Sequence, residues 1–162
     1  MQADSPHAQI FQISISNGGV PKRAIQEAEL AELGLVGDLQ RHAKVHGGPE
    51  RALCLYSLES ILALQQEGHP IFPGAIGENL TLTGLDWELL LPGRQLRLGR
   101  EVLIEITSYT TPCNHIAPYF QGGDMDRVLQ KINPGWSRVY ARVLAPGLLR
   151  TGDRISLLPA QA

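Results

Sequence analysis

Lysine is scarce in this sequence. It occurs only at Lys22, Lys44 and Lys131, so eleven of the fourteen basic residues are arginine. Sixteen acidic residues bring the formal net charge to −2, which argues against a general nucleic-acid or anionic-membrane binder. Arginine's planar fork suits fixed contacts to phosphate or carboxylate, although genome composition alone yields the same bias. Cysteine is limited to Cys54 and Cys113, too few and too far apart for a disulfide framework. Free thiols in a reducing cytoplasm are the expectation. No apolar run approaches the ~20 residues of a membrane span, and residues 1–6 lack the basic and apolar regions of a secretory signal.

What is present reads as one domain. Its 162 residues are 43% hydrophobic and 19% charged, ordinary values for a globular fold. Phe11, Ile13 and Ile15 alternate with polar residues, which predicts a half-buried strand closed by Asn17-Gly18-Gly19. Residues 21–31 have a helix-favouring composition, but their pattern leaves helix or strand open. Residues 40–51 form a polar loop with two histidines and a Gly-Gly-Pro turn. The run 52–56 predicts an inner strand. Ser57 caps a helix whose successive turns carry Leu58, Ile61, Leu62 and Gln65, with Gly68 as the stop. Further strands are expected at 80–83, 95–98, 102–106, 139–144 and 155–158, with a short helix at 124–132. Short strands punctuated by glycine and proline favour an antiparallel barrel with one or two helices outside.

Chemistry concentrates where the strand 102–106 runs toward Pro112, which lacks the amide a ladder needs. Cys113 follows, with Asn114 and His115 behind it. A thiol at a strand-to-loop junction is held rigidly yet is open to a partner. Cys54, between Leu53 and Leu55, reads instead as core packing. A zinc site from His42, His46, Cys113 and His115 is disfavoured: the i, i+4 histidine pair suits a metal on a helix, which Gly47-Gly48-Pro49 prevents. A Cys-His hydrolase lacks a recognisable oxyanion loop.

Several pieces, taken in order, resemble the MOSC domain, the module at the C-terminus of molybdenum-cofactor sulfurases that also occurs free-standing in bacteria. They are Gly37-Asp38 with His42, then residues 46–52 leading into Leu55-Tyr56-Ser57, Pro73-Gly74, and Gly77-Glu78-Asn79-Leu80. Pro112-Cys113, residues 141–144 and Gly152-Asp153 complete the set. The resemblance implies a mainly β fold, a closed or partly closed β-barrel of the pyruvate-kinase-barrel type, over residues 9–158, with tails at 1–8 and 159–162. It makes the segment from Arg23 to Leu30 a strand.

The resemblance also implies binding of the molybdenum cofactor (molybdopterin). Cys113 would be persulfide carrier or molybdenum ligand, with His115 beside it. Cofactor contacts would come from Asp38, His42, His46, Gly47, Gly48, Arg51, Glu78, Asn79, Asn114 and Arg142. Asp38 and His42 would form a pair holding the basic loop. Pyridoxal phosphate is not expected in this chain, so sulfur would come from a separate cysteine desulfurase. The alternative, a molybdenum-dependent reductase of N-hydroxylated compounds, needs an electron-donor protein; a third reading is a non-catalytic anion- or cofactor-binding module. Relatives commonly carry arginine three residues before the cysteine. Here that residue is Thr110, and Arg51, Arg142 and His115 are the candidate replacements.

Overall fold

The structure is a computed structural model and describes residues 7–39 and 47–161. Its strands are β1 (Gln9–Ile15), β2 (Arg23–Ile25), β3 (Glu27–Ala31), β4 (Gly34–Leu35), β5 (Leu53–Ser57) and β6 (Leu80–Thr83). Then come β7 (Gln95–Leu98), β8 (Val102–Tyr109), β9 (Val139–Ala145), β10 (Gly147–Arg150) and β11 (Ile155–Leu157). One α-helix, α1 (Leu58–Gln66), lies among the described residues, together with short 3-10 turns. The fold is therefore mainly β.

Eight strands form one mixed sheet in the order β11-β7-β8-β9-β5-β6-β1-β2, and β10-β3-β4 form a second. Among the described strands only β5 and β6 pair in parallel, because α1 carries the chain back between them; Asn17 and Leu39 add an isolated parallel bridge. Beyond the edge strand β11, Arg154 bridges to Gln9 at the head of β1. Around it the Ile10 amide donates to the Asp153 carbonyl (2.9 Å) and the Ile155 amide to the Ala8 carbonyl (3.1 Å).

Alternation sorts the sheet into two faces. Leu53, Leu55, Leu80, Leu82, Ile104, Ile106, Val139 and Ala141 enter one core with Ile10 and Ile13. Tyr56 belongs to a second core, built with Ile61 and Leu64 of α1 and with Ile71, Ile76, Ile116, Phe120 and Val128. The second core packs the segment after Cys113 against α1. Ser57 caps α1 through its hydroxyl, which accepts from the Ser60 amide at 3.1 Å, and Gly68 follows with φ of 101°.

Residues 23–25 and 27–31 are strands, as the family resemblance implies and against the helix that their composition favours. Glu27, Glu29 and Ala31 are exposed while Ala28 and Leu30 are buried. Pairing of β3 with β10 overrides the local preference. The helix expected at 124–132 shrinks to a 3-10 turn at Met125–Val128, followed by hydrogen-bonded turns up to Trp136. Most of the loop expected at 40–51, with His42 and His46, lies outside the described residues; its end is a 3-10 turn at Pro49–Arg51. No helix among the described residues is long and apolar enough to cross a membrane.

Candidate functional site

Strand β8 delivers Cys113. It pairs with β9 up to Tyr109 opposite Val139, and the Thr110 amide then donates to the Arg138 carbonyl at 3.0 Å. Pro112 ends the pairing. Cys113 is partly exposed and extended (φ −127°, ψ 166°), heading a 3-10 turn over Asn114–Tyr119. Its carbonyl accepts from the Ile116 amide at 3.1 Å, and Ile116 is buried in the second core. The thiol thus sits on a backbone pinned on both sides. Asn114 and His115 are exposed on the same turn.

Register builds the surroundings. Cys54 of β5 lies opposite Tyr140 of β9, and Tyr140 lies opposite Ser108 of β8. Arg138, Tyr140 and Arg142 share one face of the β9 segment, away from Val139 and Ala141. Tyr140 is 7% exposed, and burial pushes its hydroxyl up to about 12. The sulfurs of Cys54 and Cys113 add to that rise, whereas the charges of Arg138 and Arg51 oppose it. The guanidinium carbon of Arg51 stands 5.3 Å from the centre of the Tyr140 ring. Two thiols and two arginines therefore act on one phenol.

Cys54 is buried, as its neighbours in sequence imply, yet it faces away from the hydrocarbon of Leu53 and Leu55. Burial raises its thiol pKa; the Arg138 charge opposes the rise and Glu78 reinforces it. Arg138 is 6% exposed. One terminal nitrogen donates to the Ile76 carbonyl at 2.7 Å, and its Nε has no hydrogen-bond partner among the described residues. Arg138 is a buried cation that the sequence reading overlooks. The spacing Arg138-x-Tyr140-x-Arg142, alternating with Val139 and Ala141, was the available signal.

Among the candidates read from sequence, Glu78 and Asn79 are buried rather than presented. Asn79 Oδ1 accepts from the Cys54 amide (3.0 Å), and its Nδ2 donates to Asp38 Oδ2 (2.9 Å). It ties β5 to the segment after β4. Asp38 Oδ1 accepts from the Ser16 amide (2.9 Å) and from Lys22 Nζ (2.7 Å). The charged partner of Asp38 among the described residues is thus Lys22, itself buried; the expected partner His42 lies outside the described residues. Glu78 Oε2 accepts from Thr81 Oγ1 at 3.2 Å, while its Oε1 has no partner among the described residues. Burial pushes the Glu78 carboxyl pKa up, opposed by the Gly74 and Glu78 amides and by the Arg138 charge.

Arg142 is committed elsewhere, forming ion pairs with Glu105 at 2.5 Å and Glu50 at 3.8 Å. Gly47 and Gly48 precede the Arg51 turn, where Gly48 adopts φ of 93° and a Cβ would meet nothing within 4 Å. Among the described residues no group of three or more His, Cys, Asp and Glu side chains is placed to hold a metal.

A hollow lies beyond Thr110. The Ser137 hydroxyl donates to the Arg138 carbonyl at 2.6 Å and lies 3.3 Å from the Thr110 carbonyl, and Ser137 also borders a cleft of about 310 Å³ walled by Trp87, Tyr109 and Pro134.

Comparison with known proteins places this geometry in context. Protein YiiM of Escherichia coli (strain K12) is 37% identical over 137 residues, spanning 82% of this chain and 59% of YiiM. A protein named "Reductase" from Gibberella moniliformis is 32% identical over 130 residues, 77% of this chain and 22% of that protein. This chain therefore spans less than two thirds of the length of either relative. The crystal structure of YiiM from Geobacillus stearothermophilus superposes with a TM-score of 0.75 at 24% identity, covering 94% of this chain and 75% of that one; it shows the fold alone. The model of the MOSC domain matches residues 42–156, most of the described fold and all of the Cys113, Tyr140 and Arg51 cluster. The chain belongs to the MOSC domain family.

Proposed function

We propose that this chain binds the molybdenum cofactor, with Cys113 as the sulfur atom that meets the metal. The observation carrying this reading is that a partly exposed soft donor, Cys113, follows the β8–β9 pairing, whose β9 side carries Arg138 and the Tyr140 ring under Arg51. A phosphate-bearing, thiophilic cofactor matches that donor set. Arg138, rather than Arg51, Arg142 or His115, is the best replacement for the arginine missing at Thr110. It is hydrogen-bonded to Thr110 through the backbone, and its Nε has no partner among the described residues. Arg51 supports the fit as a forked donor at the rim. When bound, the cofactor supplies the redox or sulfur chemistry of its metal. The chain supplies the ligand atom, the cations and a backbone that fixes both.

Two activities are compatible with that site. In one, Cys113 accepts sulfane sulfur from a separate cysteine desulfurase. The Cys113 thiolate attacks the outer sulfur of the donor's persulfide, and the donor's thiolate leaves. In the other, the chain is the molybdenum module of a reductase of N-hydroxylated compounds fed by an electron-donor protein; the relative named "Reductase" favours it. Either role belongs in the cytoplasm. We also read the large sheet as a barrel with its seam at the Gln9–Arg154 bridge.

The test is metal and pterin analysis of protein purified from a cofactor-competent host, with Cys113→Ser alongside. Stoichiometric molybdenum lost in the variant supports the reading. Intact mass after incubation with a desulfurase and cysteine separates the roles, since a carrier gains one sulfur on Cys113. Absence of both metal and added sulfur leaves a non-catalytic binding module.

A further inference from the structure

The cleft bordered by Ser137 is distinct in chemistry from the arginine-rich face at Cys113. Its walls are Trp87 and Glu88 from a 3-10 turn, Leu91, Tyr109 at the end of β8, and Gln130, Pro134 and Gly135 from the turns before β9. At about 310 Å³ it is the size that takes a small organic molecule. Its two sides are tied together, because Trp87 Nε1 donates to the Ser137 carbonyl at 2.8 Å. Gln130 Oε1 accepts from the Gly135 amide at 3.0 Å, which fixes that wall. The Trp87 ring is braced edge-on by Tyr56, with centroids 6.0 Å apart.

Charge then selects the occupant. Glu88 is the one ionisable carboxylate among the lining residues, and no cation lines the cleft with it. Its side chain makes no ion pair or hydrogen bond to any described residue. Gly135 is what lets the carboxylate lean over the cleft: a Cβ there would stand 3.3 Å from Glu88 Cγ and 3.4 Å from Oε1. Two aromatic rings, a proline and a leucine supply apolar surface, and their ring faces favour positive charge.

We infer that this cleft binds a small organic monocation with a flat apolar body, its charge on Glu88 and its body between Trp87, Tyr109 and Pro134. The site is independent of the cofactor reading, and its test needs no cofactor. The probe is 2-phenylethylammonium, with 2-phenylethanol as the uncharged counterpart. Binding is measured by calorimetry on the unsubstituted chain and by tryptophan fluorescence in Trp136→Phe, which leaves Trp87 as the reporter. The expected result is a Trp87 response with the ammonium binding at least tenfold tighter than the alcohol. Glu88→Gln should erase that preference while the alcohol binds as before. Since Glu88 is exposed, the substitution leaves the fold intact, and an unchanged melting temperature verifies this. Equal affinity for the two probes, an unaltered preference in Glu88→Gln, or no binding of either overturns the inference.

Discussion

Lys22 and Asp38 show how this chain uses buried charge. Their side chains are 7% and 6% exposed, and they meet at 2.7 Å. Such a pair adds little net stability, but removing one partner strands the other in a place water does not reach. Asp38→Ala should therefore cost about 3–5 kcal/mol in chemical denaturation, and Lys22→Met less, because Asp38 keeps the Ser16 amide and Asn79. The two cysteines differ in the same physical terms. Cys113 is partly exposed, whereas Cys54 is buried with its thiol pKa raised by burial. Brief treatment with iodoacetamide at neutral pH should add one adduct, on Cys113, and a second only after unfolding, as read by intact mass. Glu78 gives a pH signature. Its folded pKa lies above the unfolded value, so its share of stability is complete below the ordinary carboxyl range, about 4.3, and is lost as pH rises toward the folded value. Stability of Glu78→Gln should fall less steeply than that of the native chain as pH rises from 4.3 toward neutral, measured by denaturant melts at several pH values.

Among the elements, α1 was the most legible and β8 the most consequential. The Ser57 cap, Ile61 and the Gly68 stop all fall within residues 57–68, so a sequence window contains them, but Leu64 enters the core where Leu62 and Gln65 were expected, and those two are exposed. Ser57→Ala should destabilise by about 1 kcal/mol in thermal melts, since the Ser60 amide loses its acceptor. The loop before β6 depends on a contact no window contains. Gly74 has φ of 87°, and a Cβ there would stand 2.5 Å from the Lys22 carbonyl oxygen. That carbonyl sits just before β2, fifty-two residues earlier, and the Lys22 amide donates to the Gly74 carbonyl at 2.8 Å. Gly74→Ala should thus be more damaging than Ser57→Ala, because backbone has to move. Strand β8 runs to Tyr109, past the 102–106 expected and short of Pro112, and the last backbone partner before the cysteine is the Arg138 carbonyl on the neighbouring segment.

For the molecule as a whole, the place where the large sheet would close is the Gln9–Arg154 bridge. If the seam at Gln9–Arg154 is a true barrel join, the Ile10 and Ile155 amides should exchange with deuterium as slowly as those of β5 and β9. Rates typical of an edge strand would leave the sheet open. Sequence by itself determined the strand-rich class, the capped helix, the position of Cys113 and, through ordered motifs, the family. Those follow from local rules: alternation, caps, proline's missing amide and fixed short spacings. It did not decide which way Cys54 faces, because Leu53, Cys54, Leu55 and Tyr56 are all buried and alternation is invisible when both faces are covered. It did not reveal that Asp38 holds Lys22, that Arg142 serves Glu105, or that Arg138 stands beside Thr110. Those partners come from cross-strand register and from chain segments tens of residues apart. Only the tertiary structure brings such segments within the few ångströms over which charge and hydrogen bonding act.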